Sequence, residues 1–86
     1  MNAVSMKLLI VEDDVDFAAA LARAMKKRGV EVALAHDASE AQVVAGSFTP
    51  SHAVVDLKLP GESGLKVVEQ LAARKLTVLA IDSLPR

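Results

Sequence analysis

The sequence has no cysteine, no tryptophan and no tyrosine, and its only phenylalanines are Phe17 and Phe48. Without thiols there is no disulfide framework and no thiolate metal site, which fits a cytoplasmic protein. Apolar residues nevertheless make up 52% of the chain, so the core must be aliphatic, built from Ala, Val, Leu, Ile and Met. Neither sign of charge is in excess: 10 Lys and Arg face 11 Asp and Glu, a net charge of -1. That balance argues against nucleic-acid binding, which needs a basic surface. Long apolar runs are missing too. The longest stretches, six residues each at 17–22 and at 76–81 with Thr77 inside the latter, are far below the ~20 residues of a membrane span. The N-terminal apolar stretch, Leu8-Leu9-Ile10-Val11, runs straight into Glu12, Asp13 and Asp14, which a signal peptide does not do.

What is present fits one small domain. With 86 residues the chain buries a modest core. The expected domain is 6–86, with Met6 as an alternative start, 1–5 as a short extension and 82–86 as a tail. Leu8 to Val11 lacks polar alternation and suits a strand covered on both faces. Asp14 can cap a helix in which Phe17, Ala18, Leu21, Ala22 and Met25 share a face, and Gly29 is a natural stop. Residues 30–35 read as a second strand. Asp37-Ala38-Ser39-Glu40 resembles a capping box opening a helix that ends near Gly46. Residues 52–57 form a third strand, and Pro60 to Gly64 a turn. Leu65, Val68, Leu71 and Ala72 give a third helical stripe, and residues 76–81 a fourth strand. The β-α-β-α-β-α-β order implies right-handed crossovers and a parallel sheet with helices on both faces.

Ligand sites in such α/β folds lie at the carboxyl ends of the strands. Glu12 and Asp13 follow the first strand and Asp56 ends the third, so three carboxylates converge if those strands are neighbours. Bare carboxylates at close range raise one another's pKa. Mg²⁺, a hard cation that prefers oxygen ligands, relieves the conflict, and a carboxylate beside it can attack a phosphoryl group. Read singly, each acid is better explained as a helix cap or a loop residue; it is their falling together at this end of the sheet that points to a site.

Leu8-Leu9-Ile10-Val11-Glu12-Asp13-Asp14 resembles the opening of a response-regulator receiver domain. Val54-Val55-Asp56-Leu57-Lys58-Leu59-Pro60-Gly61-Glu62-Ser63-Gly64-Leu65 resembles that family's phosphoacceptor strand and its Pro/Gly loop. The resemblance covers nearly all of residues 6–81. It implies a flavodoxin-like fold, here with four strands in the order 2-1-3-4 and three helices. The helix at 14–28 would lie on one face, those at 38–46 and 64–74 on the other. It implies that Asp56 accepts a phosphoryl group from a histidine kinase or phosphotransfer protein, as a signalling module rather than a turnover enzyme. It implies Mg²⁺ contacted directly by Asp13, through water by Glu12, and by Asp56 and the backbone carbonyl of Lys58. The Lys58 side chain would stand at the site mouth and tune dephosphorylation, while Pro60, Gly61 and Gly64 shape the approach to the third helix.

The match stops short of the whole family pattern. The fourth helix, fifth strand and fifth helix have no counterpart, so the domain reads as truncated. With the fifth strand go a phosphate-pairing Lys and an aromatic switch residue; Lys75 lies at the wrong end of the sheet to replace the former. The family's phosphate-contacting Ser or Thr after the fourth strand falls on Ser83, or its place is taken by Asp82, which would repel phosphate. Leu76, Val78, Leu79 and Ile81 are apolar on both faces of an edge strand, which predicts a homodimer or larger assembly. The alternative function is an interaction module without effective phosphorylation. An aspartate-nucleophile phosphatase would need an Asp where Lys58 stands, and a nucleotide-binding fold would need a Gly-rich loop where Glu12 to Asp14 stand. His36 and His52 read as surface residues flanking strands, and Phe17 as core.

Overall fold

The computed structural model describes residues 6–59 and 64–82. The extension at 1–5, the loop positions Pro60 and Gly61, Ser83 and the rest of the tail lie outside the described residues. Seven elements follow one another: β1 (Lys7–Val11), α1 (Val15–Lys26), β2 (Glu31–Ala35), α2 (Ala38–Phe48), β3 (His52–Asp56), α3 (Gly64–Ala72) and β4 (Thr77–Ile81). The strands form one parallel sheet in the order β2-β1-β3-β4, as the resemblance implied.

β1 shows why its sequence lacks alternation. Side chains along a strand point to opposite faces in turn. Leu9 and Val11 enter one core with Ala41, Ala45, Val55, Val67 and Leu71. Leu8 and Ile10 enter the other with Ala18 and Ala22 of α1. Both faces are covered, so all four residues are buried. The two cores place α1 on one face of the sheet and α2 with α3 on the other.

The helix starts are set by their caps. Asp14 Oδ1 accepts from Phe17 N at 3.0 Å. Asp37 Oδ1 accepts from Glu40 N at 2.8 Å, and Glu40 Oε1 accepts from His36 N at 2.7 Å. This is a capping box whose return bond lands one residue before the cap.

Three local expectations are corrected. The second helix does not end near Gly46; it runs to Phe48, and Thr49 takes the left-handed cap at φ 48. Pro50 follows, and a proline has no N–H to continue the helical ladder and clashes with the preceding turn, so the proline and not the glycine sets the end. Phe17 is not core but 45% exposed, because it lies at the edge of the stripe that Ala18, Leu21, Ala22 and Met25 turn toward the sheet. The buried stripe of α3 is Gly64, Val67 and Leu71, with Leu65 57% exposed.

Gly64 explains that last rotation. A Cβ added to it would lie 2.5 Å from the Asp56 carbonyl oxygen and 2.5 Å from Leu57 Cα. Only a residue without a side chain lets α3 start against the end of β3, and this contact fixes which face of α3 turns inward.

β4 is the least covered strand. Val78 packs against the α2–α3 core, while Leu79 is 60% exposed on the α1 side. There Met6, Leu8, Leu21, Met25, Val54 and Leu79 line an apolar hollow of about 290 Å³. No helix among the described residues is long and apolar enough to cross a membrane.

Candidate functional site

β1 and β3 are neighbours in register, Val11 beside Val55. The residues that leave the sheet at this edge are therefore Glu12 and Asp13 from one strand and Asp56 from the other. Glu12 N donates to Ala35 O at 2.9 Å, so the ladder to β2 holds the backbone of Glu12 in place. One carboxylate oxygen from each of Glu12, Asp13 and Asp56 lies within 4.8 Å of the others. Glu12 and Asp56 are buried and Asp13 is half-buried.

Local hydrogen bonds fix the carboxylates. Glu12 Oε2 accepts from Asp14 N at 2.9 Å, and Asp56 Oδ1 accepts from Lys58 N at 2.9 Å. Each acid is thus held by the amide two residues ahead of it, for Asp56 the turn that short acidic side chains favour.

Burial raises the Glu12 carboxyl from 4.5 to about 7. The Asp14 amide opposes that rise, whereas hydrogen bonding to Asp56, the Asp56 charge and hydrogen bonding to Asp13 add to it. Near neutral pH the cluster therefore competes with itself for negative charge and favours a proton or a cation. The donor set is all carboxylate oxygen, which suits a hard divalent ion such as Mg²⁺ or Ca²⁺ and not a thiolate or imidazole metal.

The other predicted positions are placed as follows. Lys58 lies in the turn after β3, and its Nζ is 3.6 Å from Asp82 Oδ1. Asp82 follows β4 directly and is exposed. Lys75 lies between α3 and β4, at the opposite end of the sheet from the acids, with φ 66. His36 is no mere surface flank: its Nδ1 is 3.0 Å from the carbonyl oxygen of Glu12. Its position one residue past β2, level with Glu12 across the β1–β2 pair, was the available signal.

Residues 8–82 match the family described as the response regulator receiver domain. Among curated proteins, the acid tolerance regulatory protein ActR of Rhizobium meliloti is 46% identical over 68 residues, covering 79% of this chain and 35% of its own length. The photosynthetic apparatus regulatory protein RegA of Rhodobacter capsulatus is 43% identical over 68 residues, covering 79% of this chain and 37% of its own. The chain thus spans little more than a third of the curated relatives it matches. Among solved structures, a response regulator from Burkholderia pseudomallei with a phosphorylated aspartic acid, calcium ion and citrate superposes with a TM-score of 0.86 at 30% identity, covering 94% of this chain and 49% of that one. The receiver domain of a modulated diguanylate cyclase from Desulfovibrio desulfuricans gives 0.85 at 31% identity, covering 94% and 67%.

Proposed function

The chain belongs to the response-regulator receiver family, and from that premise we propose that Asp56 takes a phosphoryl group from a histidine kinase or phosphotransfer protein. The observation that carries this reading is the Asp56 carboxylate itself, buried at the end of β3 with Glu12 and Asp13 oxygens within 4.8 Å. The same three side chains, with the backbone carbonyl of Lys58, are the ligands we assign to Mg²⁺. Bound there, the cation supplies positive charge to offset the carboxylates and the oxygens of a transferring phosphoryl group.

The chain's own residues do the rest. Asp56 attacks phosphorus with one carboxylate oxygen; a P–N bond to the donor imidazole breaks, and the nitrogen keeps the electron pair. The Lys58 amide, donating to Asp56 Oδ1, orients the carboxylate at the end of β3. The early start of α3, allowed by Gly64, holds the Asp56–Leu57 backbone from behind. The protein is a signalling module, and we assign it no turnover chemistry. Ser83 stays a proposed phosphate contact. We place the protein in the cytoplasm, with no nucleic acid bound by this segment.

Intact-mass measurement after incubation with acetyl phosphate and Mg²⁺ tests the reading. A single base-labile phosphoryl adduct is expected, absent from Asp56→Asn. No adduct on the unmodified chain leaves the second reading, an interaction module without effective phosphorylation. The exposed face of Leu79 and the apolar hollow beside it support a further element of the proposal, a homodimer of the 86-residue chain formed across β4. At ~25 cal/mol per Å², a few hundred Å² of apolar surface drives association by several kcal/mol.

A further inference from the structure

The ends of β3 and β4 leave the sheet side by side. Asp56 is in register with Ile81, and Leu57 N donates to Ile81 O at 2.8 Å. The next residues outward are Lys58 and Asp82, and their charged ends meet at 3.6 Å. Lys58 is anchored at the acceptor by its own amide on Asp56 Oδ1. Its side chain therefore begins at the lip of the acceptor pocket and is turned toward Asp82.

We propose that Asp82 restrains Lys58 at the rim, and that Lys58 leaves Asp82 to pair with a phosphoryl group on Asp56. The proposal rests on the reading of Asp56 as phosphoacceptor. It assigns a phosphate-pairing cation to the turn after β3 and makes Asp82 a positioning residue acting through it.

Three features support the exchange. The pair is solvent-exposed, with side-chain accessibilities of 51% and 66%, so holding it together contributes little. A phosphoryl group carries more charge than a carboxylate and offers three acceptor oxygens, so it wins an ammonium from an exposed partner. The lysine stem is flexible and its ammonium works as a point charge without fixed geometry, so it can turn from rim to pocket without backbone movement.

The proposal fixes the order of a four-variant comparison. Rates of phosphorylation by acetyl phosphate with Mg²⁺ are measured on the full chain, on Asp82→Asn, on Lys58→Met, on Lys58→Arg and on the Asp82→Asn, Lys58→Met double variant. Asp82→Asn is expected to speed the reaction by about two- to fivefold, the factor corresponding to release of an exposed ion pair. Lys58→Met is expected to slow it, Lys58→Arg to restore it, and the Asp82→Asn gain to shrink in the Lys58→Met background. A gain that persists in full without Lys58 would mean plain charge repulsion and overturn the proposal, as would no gain at all.

A second arm works without covalent transfer. Inorganic phosphate with Mg²⁺ is expected to shift the Lys58 Nζ resonance and to bind several-fold tighter to Asp82→Asn. If no variant forms an adduct, the acceptor reading fails, and the phosphate arm alone decides the restraint. A Lys58 resonance unmoved by phosphate sinks it.

Discussion

Replacing Glu12 with glutamine removes one charge from the acidic cluster while keeping the shape of the side chain. Its oxygen can still accept from the Asp14 amide, a bond of 2.9 Å in the native chain. The folded protein holds the Glu12 carboxyl at about 7 against an ordinary value of 4.5. At 1.36 kcal/mol per unit, that rise corresponds to a ceiling of about 3 kcal/mol, and neighbouring acids that relax or share the proton bring it to roughly 1–3 kcal/mol. The folded state binds the proton more tightly than the unfolded chain. Its stabilising contribution is therefore present below 4.5 and is lost as pH rises through 7. Without metal, Glu12→Gln should match the native chain near pH 5 and exceed its stability by roughly 1–3 kcal/mol at pH 8. Urea unfolding in chelator at the two pH values measures this. A difference that is the same at both pH values, or larger at pH 5, would show that burial does not hold the proton on this cluster. Mg²⁺ at pH 8 should reverse the order of the two proteins, because the native cluster gains a counter-charge that the glutamine variant binds less well.

Other substitutions test the remaining parts. Asp13→Ala should weaken Mg²⁺ binding sharply with a small effect on folding, checked by isothermal titration with the metal. Gly64→Ala should cost about 1–3 kcal/mol and slow labelling of Asp56, because a Cβ would collide with the Asp56–Leu57 backbone; unchanged urea midpoint and rate would refute the contact. Asp37→Ala should cost about 1 kcal/mol by removing the cap of α2, read as a lower melting temperature. Leu79→Lys should convert the proposed dimer to a folded monomer in sedimentation, and a native chain that is already a stable monomer when dilute would end the dimer proposal.

The strands were legible because each carries an unbroken run of three or four apolar residues, and β1 carried the clearest signal with both of its faces covered. The acids were legible as a set because they sit in two short blocks at strand ends. Periodicity alone did not make those strands neighbours: the resemblance supplied the order 2-1-3-4, and the sheet has it. What escaped the sequence depended on contacts between distant segments. The inward face of α3 is set by Gly64 against β3, so Val67 replaces Leu65 in the core. Phe17 matches the helical spacing but falls at the edge of the stripe, which Ala18, Leu21, Ala22 and Met25 fill against Leu8 and Ile10. The His36 ring reaches the Glu12 carbonyl only because β2 lies beside β1. The Lys58–Asp82 pair joins residues 24 apart in sequence through the β3–β4 register, and no local pattern announces it.

The alanine seats beneath the helices also decide how the molecule comes apart. Under α1 the buried side chains are Ala18 and Ala22, and under α2 they are Ala38, Ala41 and Ala45. Each adds a single methyl, about 0.8 kcal/mol when buried, whereas Leu9, Ile10, Val11 and Val55 bring branched side chains into the same cores from the sheet. Leu21 and Met25 of α1 and Val44 of α2 pack only partly against these cores, so α1 and α2 shield the sheet but hold on to it less firmly than α3, which buries Val67 and Leu71. A helix of this kind can lift away as a unit before the strands separate. Amide exchange in α1 should therefore run ahead of exchange in β1, with the parallel ladder as the last part of the molecule to open.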